Sequence, residues 1–197
     1  AYLTSYRIHI LAIDTGNEAH AIRSVAEQFG FQVTVTCVGQ SRHFFDGLLN
    51  NSAELVLISG HGEGGEILLP EFVHPDFPHL PTMVSAEYLQ DLANQHNRPL
   101  KDKFVLSTAC ESDTSQLAES LFALGATHFL APNVEVESND TLMFVVEFLF
   151  KLQKELNPKN EKAKRDKPFK SNADRDAYGF LPGQIDRWAE FSLITVN

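Results

Sequence analysis

Short runs of β-branched and aromatic residues alternate along the chain with stretches in which apolar positions recur every three or four residues. Runs of the first kind build strands, stretches of the second build helices that cover them, and their alternation predicts a parallel or mostly parallel sheet packed under helices. The strand candidates, in order, are Tyr6 to Asp14, Phe31 to Val38, Glu54 to Gly60, KFVLSTA running into Cys110, THFLAP, and WAEFSLITV near the end of the chain. ELVLISG, at 54–60, is an unbroken apolar run of the kind that is buried on both faces. Between the first two strands, Asn17 is placed to cap a helix with Ile22, Val25, Ala26 and Phe29 on one face and Gly30 as its stop. RHFFDGLLNN is a short amphipathic stretch, Ser85 is placed to cap a helix carrying Tyr88, Leu89, Leu92 and Ala93, and Asp113 with Gln116 reads as a capping box for LAESLFAL. TLMFVVEFLFKLQKEL is the longest apolar-rich helix. GEGGEILLPEF predicts a short strand or hairpin, and 70–81, which holds four of the nine prolines, predicts an irregular loop.

With 197 residues, 43% of them hydrophobic and 21% charged, the chain is expected to fold as a single domain over 1–197 around a sizeable core. The formal net charge of -10 argues against nucleic acid or an anionic membrane surface as a direct partner. No apolar run reaches the roughly 18 residues of a membrane span. Two cysteines, Cys37 and Cys110, allow no disulfide framework, so a cytoplasmic setting is expected, with Cys37 a buried strand residue. Because the sequence opens on Ala1, it reads as a domain excised from a longer protein. Positive charge is concentrated in one place: 159–170 holds six of the 16 Lys and Arg residues, and 158–173 is expected to form a flexible basic loop.

Chemistry is suggested by two strand endings. The third strand delivers Ser59-Gly60-His61-Gly62 and the fourth delivers Ser107-Thr108-Ala109-Cys110-Glu111. In a parallel sheet both emerge at the carboxyl edge, where open α/β sheets bind their ligands. A thiol beside a helix N-terminus is held more readily as the thiolate, and an adjacent imidazole completes the minimum set for acyl transfer. Glycine at 62 leaves room for its amide to approach a substrate oxygen and, with the amide of Cys110, to form an oxyanion hole. Taken singly, a buried cysteine is most often a core residue and a lone histidine a satisfied polar group; the pairing at adjacent strand ends gives them weight.

LISGHGEGGEILLP followed by FVLSTACESDTSQLAESLFALGATHFLAPNVEVESNDTLMFVVEFLF resembles the CHAT family of caspase-like cysteine peptidases over about residues 54 to 150. His61-Gly62 and Ala109-Cys110-Glu111 stand at that family's His-Gly and Ala-Cys-Glu, 49 residues separating histidine from cysteine against roughly 50 in caspases. The resemblance implies a three-layer caspase-like sandwich, a mostly parallel six-stranded sheet with helices on both faces. It also implies peptide-bond hydrolysis by a His61/Cys110 dyad without a cofactor or metal, in a regulatory peptidase of bacterial type. Its partners would be a protein or peptide substrate and a regulatory protein. The end of strand one approaches the substrate's P1 side chain in such folds, which points to Asp14 as a selector of basic P1 residues. Glu135 and Asn133, after strand five, are further substrate contacts on this reading; Asn133-Val134 replaces the tryptophan often found there.

Other readings are a non-catalytic caspase-like scaffold or sensing module, and a flavodoxin-like ligand-binding domain. His74, Asp76 and His79 offer zinc ligands in one loop, although a proline-stiffened surface loop explains them more simply. GHGEGG lacks the Lys-Ser/Thr of a phosphate-binding loop. Asp14 also suits the phospho-acceptor of a receiver-like domain, or a simple turn. Given a basic P1 preference, the 159–170 loop becomes a candidate for self-cleavage or for docking on the acidic remainder of the chain.

Overall fold

The computed structural model describes residues 6–70, 81–156 and 191–195. Its elements are β1 (Arg7–Ile13), α1 (Gly16–Gln28), β2 (Gln32–Val38), α2 (Ser41–Leu49), β3 (Leu55–Ser59), β4 (Gly62–Glu63), β5 (Glu66–Leu68), β6 (Met83–Val84), α3 (Ala86–Gln95), β7 (Phe104–Ser107), α4 (Ser115–Ala123), β8 (His128–Pro132), α5 (Ser138–Leu156) and β9 (Phe191–Thr195). The zinc candidates His74, Asp76 and His79 and the basic segment 159–170 lie outside the described residues.

Five parallel strands form the body of the sheet in the order β2-β1-β3-β7-β8, and β9 runs antiparallel along β8. Alternation along each strand feeds two separate cores. On one side Leu11, Ile13, Val56, Ile58 and Val105 meet Phe44 and Leu48 of α2, Leu89 of α3 and Leu117 and Leu121 of α4. On the other side Ile8, Ile10, Leu55, Leu57 and Leu106 meet Ile22 of α1 and Phe144, Phe148 and Leu152 of α5. All five residues of β3 are buried, which is why that run carries no polar alternation. Each fully buried Leu, Ile or Phe contributes roughly 1.5–3 kcal/mol. The two buried faces hold the strand ends rigidly.

Three local expectations are corrected. Cys37 is exposed rather than buried, because β2 is the edge strand and only its last residue, Val38, is fully covered. Helix α1 starts at Gly16 with Thr15 at the N-cap, not at Asn17, and Thr15 makes no side-chain cap because its hydroxyl is taken by Ser59. Helix α4 is capped by Thr114, whose hydroxyl accepts from the Leu117 amide at 3.2 Å. Asp113 is one residue too early: its amide still bonds the carbonyl of Pro132 at the end of β8. Ser85 does cap α3, accepting from the Tyr88 amide at 3.2 Å.

The strand order reverses between β1 and β3, since β2 lies to one side of this pair and β7 and β8 to the other. A crevice opens at such a reversal, outside the carboxyl ends of the strands. Over that edge lies a three-stranded antiparallel sheet, β4-β5-β6. The β4–β5 turn is Gly64-Gly65, both at positive φ (59° and 87°), as a two-residue turn matched to the right-handed strand twist requires. Ile67 and Val84 bury their side chains in the core below, which fastens the small sheet to the large one.

Candidate active site at the carboxyl edge

His61 follows β3 by two residues, is exposed, and leads into the hairpin; its carbonyl accepts from the Leu68 amide at 2.9 Å. Cys110 follows β7 by three residues in a turn and is half-buried. The final rung between the two parallel strands is Ile58 opposite Ser107, after which both chains leave the ladder at the carboxyl edge.

The hairpin sits directly on the cysteine turn. A Cβ placed on Gly62 would come 2.2 Å from the Cys110 carbonyl oxygen, 3.1 Å from the Ala109 Cβ and 3.1 Å from the Glu66 carbonyl oxygen. Glycine at 62 is therefore demanded by contact between the two segments. Two residues further on, the Gly64 amide donates to Glu111 Oε2 at 3.1 Å, and a Cβ on Gly65 would stand 2.8 Å from Thr114 Cγ2. The cysteine turn is braced from below, where Ser112 Oγ donates to the Ala109 carbonyl at 2.6 Å and lies 3.0 Å from Ser107 Oγ, with both serines fully buried.

The sulfur itself is engaged by the loop after β8. The Val136 amide donates to Cys110 Sγ at 3.4 Å, and Sγ lies 3.6 Å from the Val136 carbonyl oxygen. Backbone bonds from Glu111 to the Val134 carbonyl (3.3 Å) and from Asp113 to the Pro132 carbonyl (3.0 Å) hold that loop against the cysteine turn. Asn133 and Glu135 are exposed in it, so they stand beside the cysteine. The expected adjacency of Cys110 to a helix N-terminus is replaced by this contact: α4 begins at Ser115, and Glu111 to Thr114 intervene.

Asp14 is exposed just beyond β1 in the left-handed region, φ 53°, a conformation Asp tolerates better than most residues. Two strand spacings, roughly 10 Å, separate β1 from β7, with β3 between them. Asp14 thus borders the crevice from the far side. Glu111, next to Cys110 in the turn after β7, also has φ 53°, an uncommon state for a residue with a long side chain.

Sequence reasoning missed the groups beneath the two loops. Glu18, in the first turn of α1, accepts with Oε1 from Ser59 Oγ at 2.6 Å and from Thr108 Oγ1 at 2.9 Å. Thr15 Oγ1 donates to the Ser59 carbonyl at 2.9 Å and lies 2.6 Å from Ser59 Oγ. A polar Ser and Thr closing otherwise apolar strands were the available signal. Val136 left none, since it acts through its backbone.

A cavity of about 360 Å³ opens at the opposite, amino-terminal edge, lined in part by Arg7, His9, Gln32, Thr34 and Asn51. Near it, burial and the charge of Lys103 lower the pKa of His9, whose ring nitrogens meet Thr34 Oγ1 at 2.7 Å and Thr36 Oγ1 at 3.1 Å. It lies far from both strand ends and shares none of their residues. Among the described residues no three His, Cys, Asp or Glu side chains come together to hold a metal ion, and no helix is long and apolar enough to cross a membrane.

No family model matches the chain, and no curated protein matches it significantly. Among solved structures it is similar to a CheY-like response regulator receiver domain from Methanospirillum hungatei JF-1, 17% identical, covering 77% of this chain and 99% of that one at a TM-score of 0.39. It is also similar to a flavodoxin, WrbA-like protein from Agrobacterium tumefaciens, 11% identical, covering 78% and 100% of the two chains at a TM-score of 0.38.

Proposed function

We propose that the chain is a caspase-like cysteine endopeptidase of CHAT type, with Cys110 as nucleophile and His61 as general base. The observation that carries this reading is the seating of His61-Gly62 on the Cys110 turn, so close that no Cβ fits at residue 62. Two chemically complementary residues at adjacent strand ends, in the crevice of a parallel sheet, are the arrangement that acyl transfer needs. The left-handed Glu111 beside the nucleophile supports it, since backbone outliers gather at functional sites. The antiparallel run β9 beside β8 supports a six-stranded caspase-like sheet.

In the reaction, Cys110 gives up its proton to His61 and sulfur bonds to the substrate carbonyl carbon. The carbonyl oxygen, now negative, is stabilised by the amides of Gly62 and Cys110. Collapse breaks the C–N bond, and His61 hands the proton to the departing amine. Water then adds to the thioester with His61 again as base, releasing the carboxylate and restoring the thiol. Attack requires that sulfur give up the Val136 backbone, and a partner protein acting on the 133–137 loop is the natural control point. Asp14, across the crevice, selects a Lys or Arg at P1, with Glu135 and Asn133 on the near side. The reaction needs no cofactor, and a reducing, cytoplasmic setting suits an unpaired thiol.

The engagement of sulfur by Val136 also favours a second reading, a non-catalytic scaffold in which the dyad never aligns. A peptide-library cleavage profile, run with and without candidate partner proteins, separates the two. Cys110→Ala and His61→Ala are each expected to abolish cleavage while leaving the thermal midpoint within a few degrees of wild type. Near wild-type turnover by either variant would sink the mechanism. Wild type is expected to cut after Lys or Arg, and Asp14→Ala to lose that preference. Cleavage after acidic or apolar P1 residues, or an unchanged Asp14→Ala profile, would remove Asp14 from its role.

A further inference from the structure

The strand ladder ends at Ile58 and Ser107, each three residues short of the group that would react. Beyond it, His61 travels into a hairpin and Cys110 into a turn, and few bonds tie the two chains at that point. The Thr108 amide bonds the Ile58 carbonyl at 2.8 Å, and the Gly60 amide donates to Thr108 Oγ1 at 3.3 Å. Further along, the Gly64 amide bonds Glu111 Oε2, and a side chain from a third element adds another tie. Glu18 Oε1 receives the hydroxyls of Ser59, two residues before His61, and Thr108, two residues before Cys110. Each hydroxyl has one proton to give. Ser59 spends its proton on Glu18 and Thr15 spends its own on the Ser59 carbonyl, so the two hydroxyls that donate to Glu18 Oε1 are those of Ser59 and Thr108. Thr108 lies 3.4 Å from the Ile58 carbonyl and 2.9 Å from Glu18, so the carboxylate is the better acceptor. Ser59 is fully buried and Thr108 nearly so, which shields the two donor hydroxyls from water, while Glu18 itself is half-buried.

Resting on the peptidase reading for its kinetic part, we infer that Glu18 is a positioning residue: by gripping the ends of β3 and β7 with one oxygen, it sets the separation of His61 and Cys110. Glu18 does not touch the reacting atoms. It acts through the two chains that carry them, and misplacement of a dyad by about 1 Å lowers turnover on the order of 100-fold.

The test compares Glu18→Ala, Glu18→Gln and wild type in peptide cleavage and in amide hydrogen exchange. Glu18→Ala should lower kcat roughly 100-fold with KM shifted less than about 3-fold, since substrate is still bound. Glu18→Gln keeps an oxygen that accepts both hydroxyls and should restore most of the loss. Exchange should quicken in Glu18→Ala at both 60–62 and 109–111, and return toward wild type in Glu18→Gln. If Glu18→Ala does not fold, Ser59→Ala removes one of the two bonds and should lower kcat about tenfold. An unchanged kcat in Glu18→Ala, a loss confined to KM, or a Glu18→Gln as impaired as Glu18→Ala overturns the inference. Should wild type neither cleave peptides nor react at Cys110 with a peptidyl acyloxymethyl ketone faster than at Cys37, the peptidase reading fails. Exchange then decides the clamp: coupled quickening at both strand ends upholds it, and unchanged exchange overturns it.

Discussion

At Gly62 one missing carbon decides whether the two halves of the site can meet. Two of the three atoms that would obstruct an alanine there are backbone oxygens, of Cys110 and Glu66, which cannot rotate aside as a side-chain tip would. Gly62→Ala must therefore lift the hairpin off the cysteine turn. The expected result is a destabilisation of about 1–3 kcal/mol, in the range of overpacked sites, and, on the proposed peptidase reading, a drop in turnover of at least roughly 100-fold because His61 and Cys110 are spread apart. Urea midpoints and initial rates on one preparation would check both. A Gly62→Ala protein that cleaves like wild type would show that the close approach has no part in the chemistry. Cys37, exposed on β2, supplies an internal thiol for comparison with Cys110 in any labelling experiment.

At the scale of elements, the sequence was readable where a local pattern and its tertiary use agree. The buried β3 showed as an apolar run because both of its faces are covered. The β4–β5 hairpin showed because its turn requires two residues at positive φ and Gly64-Gly65 supplies them. Two helix starts were misread where a distant partner outbids the local one: Thr15 bonds to Ser59, 44 residues away, and the Asp113 amide follows β8. The meeting of the His61 and Cys110 segments was readable because parallel strands deliver their ends to one edge. Glu18 was not, since its partners lie 41 and 90 residues along the chain and a glutamate in a first helical turn already has a sufficient local reason, the favourable interaction with the helix N-terminus. The 133–137 loop was read for its side chains, yet what reaches the thiol is a backbone amide, which no residue type announces.

Across the whole molecule, the crevice at the carboxyl edge and the ionisable groups of the amino-terminal edge are physically separate, and pH should tell them apart. His9 is buried between Thr34 and Thr36, and burial, then the charge of Lys103, lowers its pKa. Lys103 is held by carbonyls of Asn51 and Ala53, and burial lowers its pKa against the opposing pull of Glu54. An unfolded chain binds a proton at His9 near pH 6.5. In the window from there down to the lower folded value, the unfolded state carries more protons, so stability falls as pH falls, with a slope of at most about 1.4 kcal/mol per pH unit for one group. For Glu54, burial pushes the carboxyl upward but the hydrogen bonds and charge of Arg7 outweigh it, leaving the folded value below 4.5. The stability Glu54 contributes is thus present above about pH 4.5 and lost as pH drops through that lower value. Acid unfolding should begin with His9 and deepen with Glu54. Urea unfolding free energies at pH 7.5, 6 and 5 for wild type and His9→Gln, which retains a polar side chain between the threonines, would isolate the first step as a flatter dependence in the variant. Parallel slopes would mean that His9 ionises no differently when folded. Because this edge shares no residue with the His61/Cys110 crevice, the same variant should leave the pH profile of cleavage unmoved over the range in which both proteins stay folded.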